Sequence, residues 1–206
     1  GYLLSDRSNL TRQEIEPTDK NSILKPDERE ILFLASLAPS GHNTQPWFVK
    51  HVEPYHWIIG NDKAKWLPAV DPTQRETILS IGAFVQNLEL AADSFGYACD
   101  WNLLAKTNQD EQVLEVKLNK KNTKSSFDNT KIRDRRTVRS GYLNDELKKE
   151  DFEYLVGSES DFIQYFPASS TESEFINEQT IEANRIQTYR DPAQEELAEW
   201  IRFSSM

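Results

Sequence analysis

The chain has 206 residues, of which 37% are hydrophobic, and it carries a formal net charge of −10. This length suits one domain or a large part of a two-part protein. The acidity argues against nucleic acid and against an anionic membrane surface as partners, because both are bound by basic surfaces.

The first 25 residues are polar and lack a hydrophobic period, so they predict an extended N-terminal arm. A helix is predicted over residues 26–38, with Pro26 as its first residue and two acidic residues at its positive end. Two short strands follow at 48–52 and 56–60, joined by a turn of hairpin length.

A long helix is predicted over residues 72–95, where apolar residues recur at steps of three and four. Asp71 is its expected N-cap, Pro72 its first residue, and Gln74 completes a capping box. Gly96 is expected to end it. The apolar stripe is wide, which indicates that this helix is buried on more than one side.

Two further strands are predicted at 101–104 and 113–118. Helices are then expected at about 144–156, from Thr171 with a capping box to Glu174, and over 191–203, with a strand at 162–166. The predicted fold class is α+β: a mostly antiparallel sheet flanked by helices, the long helix at the centre, and two related halves. The expected organisation is an arm (1–25), a first half (26–119), a polar connector (120–130) and an incomplete second half (131–206).

Cysteine and histidine usage excludes several kinds of site. Cys99 is the one cysteine, so an internal disulfide and a multi-cysteine metal site are excluded, and its apolar setting favours an inert thiol. His42, His51 and His56 lack the spacing of a metal motif, so no metal is predicted. The chain starts at Gly1 rather than Met, which leaves an expression remnant and a removed leader open. We slightly favour a cytoplasmic location over export, and no run of about eighteen apolar residues predicts a membrane span.

Residues 39–47 read P-S-G-H-N-T-Q-P-W and lie between the first helix and the first strand. A helix that stops at a proline and turns through Ser-Gly-His-Asn presents backbone N–H groups and short polar side chains to one small space. Such a space suits a planar ligand with polar edges.

A basic cluster of Lys131, Arg133, Arg135, Arg136 and Arg139 stands out in an acidic chain. It is either a solvated surface or an anion site, and its four arginines to one lysine favour phosphate, which arginine binds in a bidentate manner. No dinucleotide fingerprint or P-loop occurs. The G-x-S-x-G motif of many hydrolases is also missing, so a hydrolase is not favoured.

These segments resemble the FMN-dependent nitroreductase family, in which R-R-S-x-R precedes a helix and P-S-x-x-N-x-Q-P-W closes a later one. This chain has R-R-T-V-R at 135–139 and the second motif at 39–47. The inverted order is similar to the two-halved subgroup, in which one chain supplies both partners of the dimer interface as a pseudo-dimer. The resemblance covers roughly residues 27–203, and a homodimer of such chains is a further alternative.

The resemblance implies roles for seven residues. The FMN phosphate would be held by Arg135 and Thr137, with Arg136 nearby. The N1–C2 edge of the flavin would lie near Arg139. The ring would be lined by Pro39, Ser40 and Asn43. It implies an oxidoreductase that passes electrons from NAD(P)H through FMN to a flat small-molecule acceptor, such as a nitroaromatic or a quinone. Two alternatives stay open: a non-catalytic protein that binds or sequesters flavin on the same fold, and a structural protein without a ligand.

Overall fold

The computed structural model describes residues 23–123, 125–138, 141, 143, 145–157 and 161–201. Residues 1–22, which form most of the predicted N-terminal arm, lie outside the described residues. The helices and strands, in chain order, are α1 (Pro26–Ser36), β1 (Trp47–Glu53), β2 (His56–Asn61), α2 (Arg75–Ser94), β3 (Tyr97–Leu103), β4 (Gln112–Lys120), α3 (Thr130–Asp134), α4 (Lys149–Val156), α5 (Thr171–Thr188) and α6 (Asp191–Trp200).

The four strands form one antiparallel sheet in the order β1-β2-β4-β3. The predicted hairpin is confirmed, and its two-residue turn is closed by Tyr55 at φ 63°. Opposite Phe48 of β1 lies Gly60 of β2, and the phenyl ring covers the space where a β-carbon of residue 60 would stand. The α+β fold class predicted from the sequence is confirmed.

The hydrophobic core lies between the sheet and the pair of helices α1 and α2, which pack against each other. The long helix α2 contributes Ile81, Phe84 and Leu88, all almost completely buried, as its wide apolar stripe predicts. From the sheet, Trp57 and Ile59 enter the same core without any exposed surface. Full burial of each such side chain stabilises the fold by about 1.5–3 kcal/mol.

The predicted start of α2 is wrong by three residues. Helical structure begins at Arg75, because residue 74 adopts a left-handed conformation (φ 60°) and residues 72 and 73 form a turn. Asp71 still caps the helix from outside it: its carboxylate accepts hydrogen bonds from the backbone N–H groups of Arg75 (2.8 Å) and Thr77 (3.0 Å). The Gln74 side chain donates to the Asp71 carbonyl rather than completing a capping box.

Three expectations for the C-terminal part need correction. The strand predicted at 162–166 is irregular, and Phe162 is 87% exposed, because no described strand lies beside it to complete a ladder. The helix expected from residue 144, which is outside the described residues, begins at Lys149. Helix α5 is capped by Ser170 rather than Thr171, since the Ser170 hydroxyl accepts the N–H of Ser173 at 3.1 Å. The last helix ends at Trp200, and residues 202–206 lie outside the described residues.

Helices α3 and α6 each bury one small or apolar side chain. Ile132 of α3 is 4% exposed and belongs to the main core, while Ala193 of α6 is 2% exposed. Helix α5 has no buried residue. Among the described residues, we find no helix with the length and apolar character that crossing a membrane requires. The division into two related halves stays a prediction.

Candidate functional site

The segment between α1 and β1 folds into a closed turn, residues 39–45, which we call the 39–45 turn. The Ser40 hydroxyl accepts a hydrogen bond from the backbone N–H of Gln45 at 2.9 Å, and the Ser40 carbonyl accepts from Asn43 at 3.0 Å. A third bond joins the N–H of Thr44 to the carbonyl of Gly41 at 2.9 Å. Pro39 and Asn43 are exposed, so both are accessible to a ligand.

The 39–45 turn is conformationally strained. Its residues His42, Asn43 and Gln45 have φ angles of 47°, 57° and 52°, in the left-handed region that few residues other than glycine adopt. Each such residue costs about 1–3 kcal/mol and persists only where the surroundings hold it. Here the side chain of Gln45 donates to the Ser36 carbonyl at 3.2 Å, and Lys65 Nζ donates to the Gln45 carbonyl at 3.1 Å. Strain of this kind is concentrated at functional sites.

Two side chains occupy the space beside Gly41. A β-carbon at this position would stand 2.7 Å from Glu76 Oε2, in the first turn of α2, and 3.3 Å from Leu67 Cδ1. Helices α2 and α6 both pack beside the turn. The turn is therefore enclosed on two sides by helices.

Arg135, the first residue of the R-R-T-V-R segment that we call the arginine loop, reaches the same end of α1 as the turn. Arg135 Nη2 donates to the Leu37 carbonyl at 3.1 Å, two residues before Pro39. Two buried nitrogen atoms in this region, Arg135 Nε and His42 Nε2, have no hydrogen-bond partner among the described residues. A buried polar nitrogen without a partner is costly, so each of the two atoms is a candidate contact for a ligand with polar groups.

The other basic residues serve different purposes. Arg133 forms an ion pair with Glu30 and lies 5.1 Å from the centre of the Phe33 ring, so it fastens α3 to α1. Arg136 Nη1 donates to the backbone carbonyls of Arg133 and Arg135, both at 2.8 Å. Thr137 is exposed, and Arg139 lies outside the described residues. Within the described part of the cluster, Arg135 is the cation that bonds to the C-terminal end of α1, just before the turn.

Sequence reasoning missed three residues that shape this region. Lys65 holds the turn by its hydrogen bond to Gln45, Glu76 lies against Gly41, and Glu196 of α6 binds the loop before α2. Glu76 had a weak signal as an acidic residue expected within the long helix. Lys65 and Glu196 had none, because each acts on a backbone group far away in sequence.

Cys99 is not an activated nucleophile. Burial, followed by the negative charges of Glu89 and Asp100, raises the pKa of its thiol to about 12. The thiol therefore stays protonated at neutral pH, and only the thiolate is strongly nucleophilic. Covalent chemistry on this residue is not favoured.

Comparison with curated proteins gives partial matches, while no family model matches the chain. The chain is 33% identical over 69 residues to the probable NAD(P)H nitroreductase PigM of a Serratia species, a match that covers 33% of this chain and 19% of that protein. It is 29% identical over 91 residues to an uncharacterized protein of Mycobacterium tuberculosis, covering 43% of this chain and 26% of that one. The matches thus span about a fifth to a quarter of the length of these relatives.

Solved structures give further similarities. A nitroreductase-like protein from Streptococcus mutans aligns over 70% of this chain and 90% of its own, with 16% identity and a TM-score of 0.42. A nitroreductase family protein from Clostridium difficile aligns over 55% and 81%, with 19% identity and a TM-score of 0.38. Over the 69 matched residues, the chain is thus similar to a probable NAD(P)H nitroreductase, in agreement with the resemblance that the sequence motifs predict.

Proposed function

We propose that this chain binds FMN between the 39–45 turn and the arginine loop and acts as an oxidoreductase of the nitroreductase type. The observation that carries the proposal is the hydrogen bond from Arg135 to the Leu37 carbonyl, which brings two motifs about a hundred residues apart to one end of α1. The unpartnered Arg135 Nε and His42 Nε2 support it, since a bound flavin nucleotide offers acceptors to both.

In this proposal each residue of the site contributes to the binding of the flavin. The flavin phosphate is held by Arg135 and by the hydroxyl of Thr137, with Arg136 nearby. Arg139 stabilises negative charge at the N1–C2 edge. Pro39, Ser40 and Asn43 line the ring, and the exposure of Pro39 and Asn43 leaves that side open to a second molecule.

Bound FMN would supply the redox chemistry by taking a hydride from NAD(P)H and giving electrons to a flat acceptor such as a nitroaromatic or a quinone. The chain itself contributes orientation and charge. The strained turn holds its short side chains in place before a ligand arrives, while its N–H groups at Asn43, Thr44 and Gln45 are already bonded within the turn. The cationic loop supplies the positive charge that a phosphate and a reduced flavin both require.

The test is a titration of the purified protein with FMN, followed by quenching of the flavin fluorescence. We expect the flavin fluorescence to be quenched in a saturable manner, with one FMN bound at each site of the predicted pseudo-dimer. The purified protein should be yellow and should release its flavin on denaturation. Absence of quenching at any FMN concentration would contradict the proposal. Anaerobic mixing of the loaded protein with excess NADPH then separates enzyme from storage protein, because a flavin that stays oxidised indicates sequestration rather than turnover.

A further inference from the structure

Helix α6 is anchored by a single carboxylate. Glu196 accepts two backbone hydrogen bonds, from Ala69 N–H to Oε2 at 2.7 Å and from Val70 N–H to Oε1 at 3.1 Å. The Glu196 residue is only 8% exposed, although it lies on a helix whose neighbouring glutamates are exposed. Hydrogen bonds to an ionised carboxylate are about twice as strong as neutral ones, so this pair is a specific attachment point.

A second contact strengthens the same attachment. Arg190, at the start of α6, donates from Nη2 to the carbonyl of Ala69 at 3.2 Å. The backbone of residue 69 is thus bound on both its N–H and its C=O by one helix. Ala193, one turn before Glu196, is 2% exposed and allows the close approach that these bonds require.

The loop that α6 binds also touches the 39–45 turn. Leu67, at its beginning, lies where a β-carbon of Gly41 would come within 3.3 Å. At its end, the N–H of Asp71 donates to the Leu67 carbonyl at 2.7 Å, and the Asp71 carboxylate caps α2. Helix α6 in turn packs beside residues 41–43 of the turn. One loop therefore connects the turn, the start of α2 and the C-terminal helix.

We propose that Glu196 is a positioning residue that fixes α6 against the 39–45 turn, so that α6 holds the turn in its strained conformation and forms one wall of the ligand pocket there. The part that concerns the pocket rests on the function proposed above. The part that concerns the turn stands on the contacts alone, because a strained backbone is maintained by what packs against it.

The first experiment uses the protein without added ligand. Glu196→Gln replaces one acceptor oxygen with an amide NH2 group, which donates and cannot accept, while Glu195→Gln and Glu199→Gln make the same change at exposed positions of the same helix. Amide hydrogen exchange is measured by NMR at Ala69 and Val70, and at Asn43 and Thr44 in the turn. We expect Glu196→Gln to raise exchange by about tenfold or more at all four amides, since local opening controls exchange, and the two control variants to match the parent.

Two results would overturn the inference. Exchange that rises at Ala69 and Val70 but not at Asn43 and Thr44 would mean that the turn does not depend on α6. If Glu196→Gln fails to fold, Arg190→Ala decides instead, because Arg190 is exposed and its loss weakens the same attachment more gently. Unchanged exchange at the two turn amides in Arg190→Ala would then count against the inference.

The second experiment is an FMN titration of the same variants. We expect Glu196→Gln to weaken FMN binding by about tenfold, which equals about 1.4 kcal/mol, and to change the visible spectrum of the bound flavin. Glu196→Asp, which keeps the carboxylate, should restore part of the affinity. A parent protein that does not bind FMN contradicts the proposed function, while the exchange data still decide the role of Glu196. If Glu196→Gln binds FMN as tightly as the parent, this contradicts only the proposal that α6 forms a wall of the ligand pocket.

Discussion

Arg135 donates a hydrogen bond from Nη2 to the carbonyl of Leu37 at 3.1 Å, across 98 residues of sequence. Leu37 is the C-cap of α1, so its carbonyl is among those that the helix leaves without an internal partner. A guanidinium is favourable there because it satisfies the carbonyl and complements the negative end of the helix dipole. The same contact fixes where the rest of the guanidinium lies, next to the entry of the 39–45 turn. Arg135 thus combines a structural task with the ligand-binding task proposed for it.

Replacing Arg135 with alanine should weaken FMN binding by roughly 10- to 100-fold, because a charge-assisted hydrogen bond contributes about 1.5–3 kcal/mol. Arg135→Lys should recover only part of this, since an ammonium cannot make the forked contact of a guanidinium. The measurement is the FMN dissociation constant from fluorescence quenching.

The matched control for this experiment is Arg136→Ala. Arg136 is exposed, and its described hydrogen bonds go to the nearby backbone carbonyls of Arg133 and Arg135, so its removal should change the affinity by less than about threefold. Equal losses in the two variants would show that general positive charge, rather than the contact at Leu37, determines binding.

Local signals predicted most of the helices and strands between residues 26 and 120 correctly. Apolar periodicity located α1 and α2, alternation located the hairpin and the two later strands, and Gly96 ends α2 with φ 81° as expected. These features succeed because hydrophobic period and glycine conformation are read within a few residues. The start of α2 failed, because the carboxylate of Asp71 reaches Arg75 and Thr77 across a turn instead of capping the next residue.

The contacts that define the candidate site were beyond local signals. The sequence shows five basic residues close together, but packing distinguishes them: Ile132 enters the core, which directs Arg133 to Glu30 and Arg135 to Leu37. The predicted strand at 162–166 failed for a similar reason, because alternation is satisfied locally while a ladder needs a neighbour. The hydrogen bonds from the backbone of Ala69 and Val70 to the Glu196 carboxylate join positions more than 120 residues apart, and no pattern in the sequence indicates them.

Ser40→Ala should destabilise the fold by about 0.5–1.5 kcal/mol, because the Gln45 N–H loses its acceptor within a strained turn. Urea denaturation monitored by circular dichroism measures the free energy of unfolding. Ser36→Ala is the control: that hydroxyl donates to the Phe33 carbonyl inside α1, where alanine is the better helix former, so the change should be near zero or slightly stabilising. A loss for Ser36→Ala as large as that for Ser40→Ala would contradict a special role of the turn hydroxyl.

Two glycines should respond to alanine in opposite directions. Gly60→Ala places a methyl group inside the space of the Phe48 ring, and moving that ring should cost about 1–3 kcal/mol of stability. Gly82 lies on an exposed position of α2, where an added β-carbon meets nothing within 4 Å. Gly82→Ala should therefore stabilise the protein by about 0.5–1 kcal/mol through the lower entropy of the unfolded chain. Thermal unfolding of the two variants beside the parent measures both effects, and a shift of the same sign in both would contradict the packing argument.

At the start of α1, the carboxylate of Asp27 is bonded by the hydroxyl groups of two tyrosines, Tyr55 and Tyr97, whose stacked rings have centres 4.9 Å apart. The Tyr97 hydroxyl donates to Asp27 at 2.6 Å, and the Tyr55 hydroxyl donates to the same carboxylate at 3.1 Å. Burial opposes ionisation of Asp27, but the hydrogen bonds from Tyr97 and Tyr55 outweigh it, and its pKa lies below the usual 3.8. Burial and the nearby Asp27 raise the pKa of Tyr97, so the phenol stays protonated as the donor.

A carboxyl group whose pKa is lower in the folded than in the unfolded protein stabilises the fold above the unfolded pKa, and this contribution is lost as the pH falls through the folded pKa. Tyr97→Phe should therefore destabilise the protein by about 1–2 kcal/mol at about pH 7, and the difference from the parent should shrink below about pH 3. Denaturant unfolding of both proteins across this range measures the change. Tyr154→Phe, at a side chain that is 84% exposed, should match the parent at every pH. A Tyr97→Phe deficit that stays constant down to acid pH would mean that packing of the ring, rather than the ionised Asp27, accounts for the stabilisation.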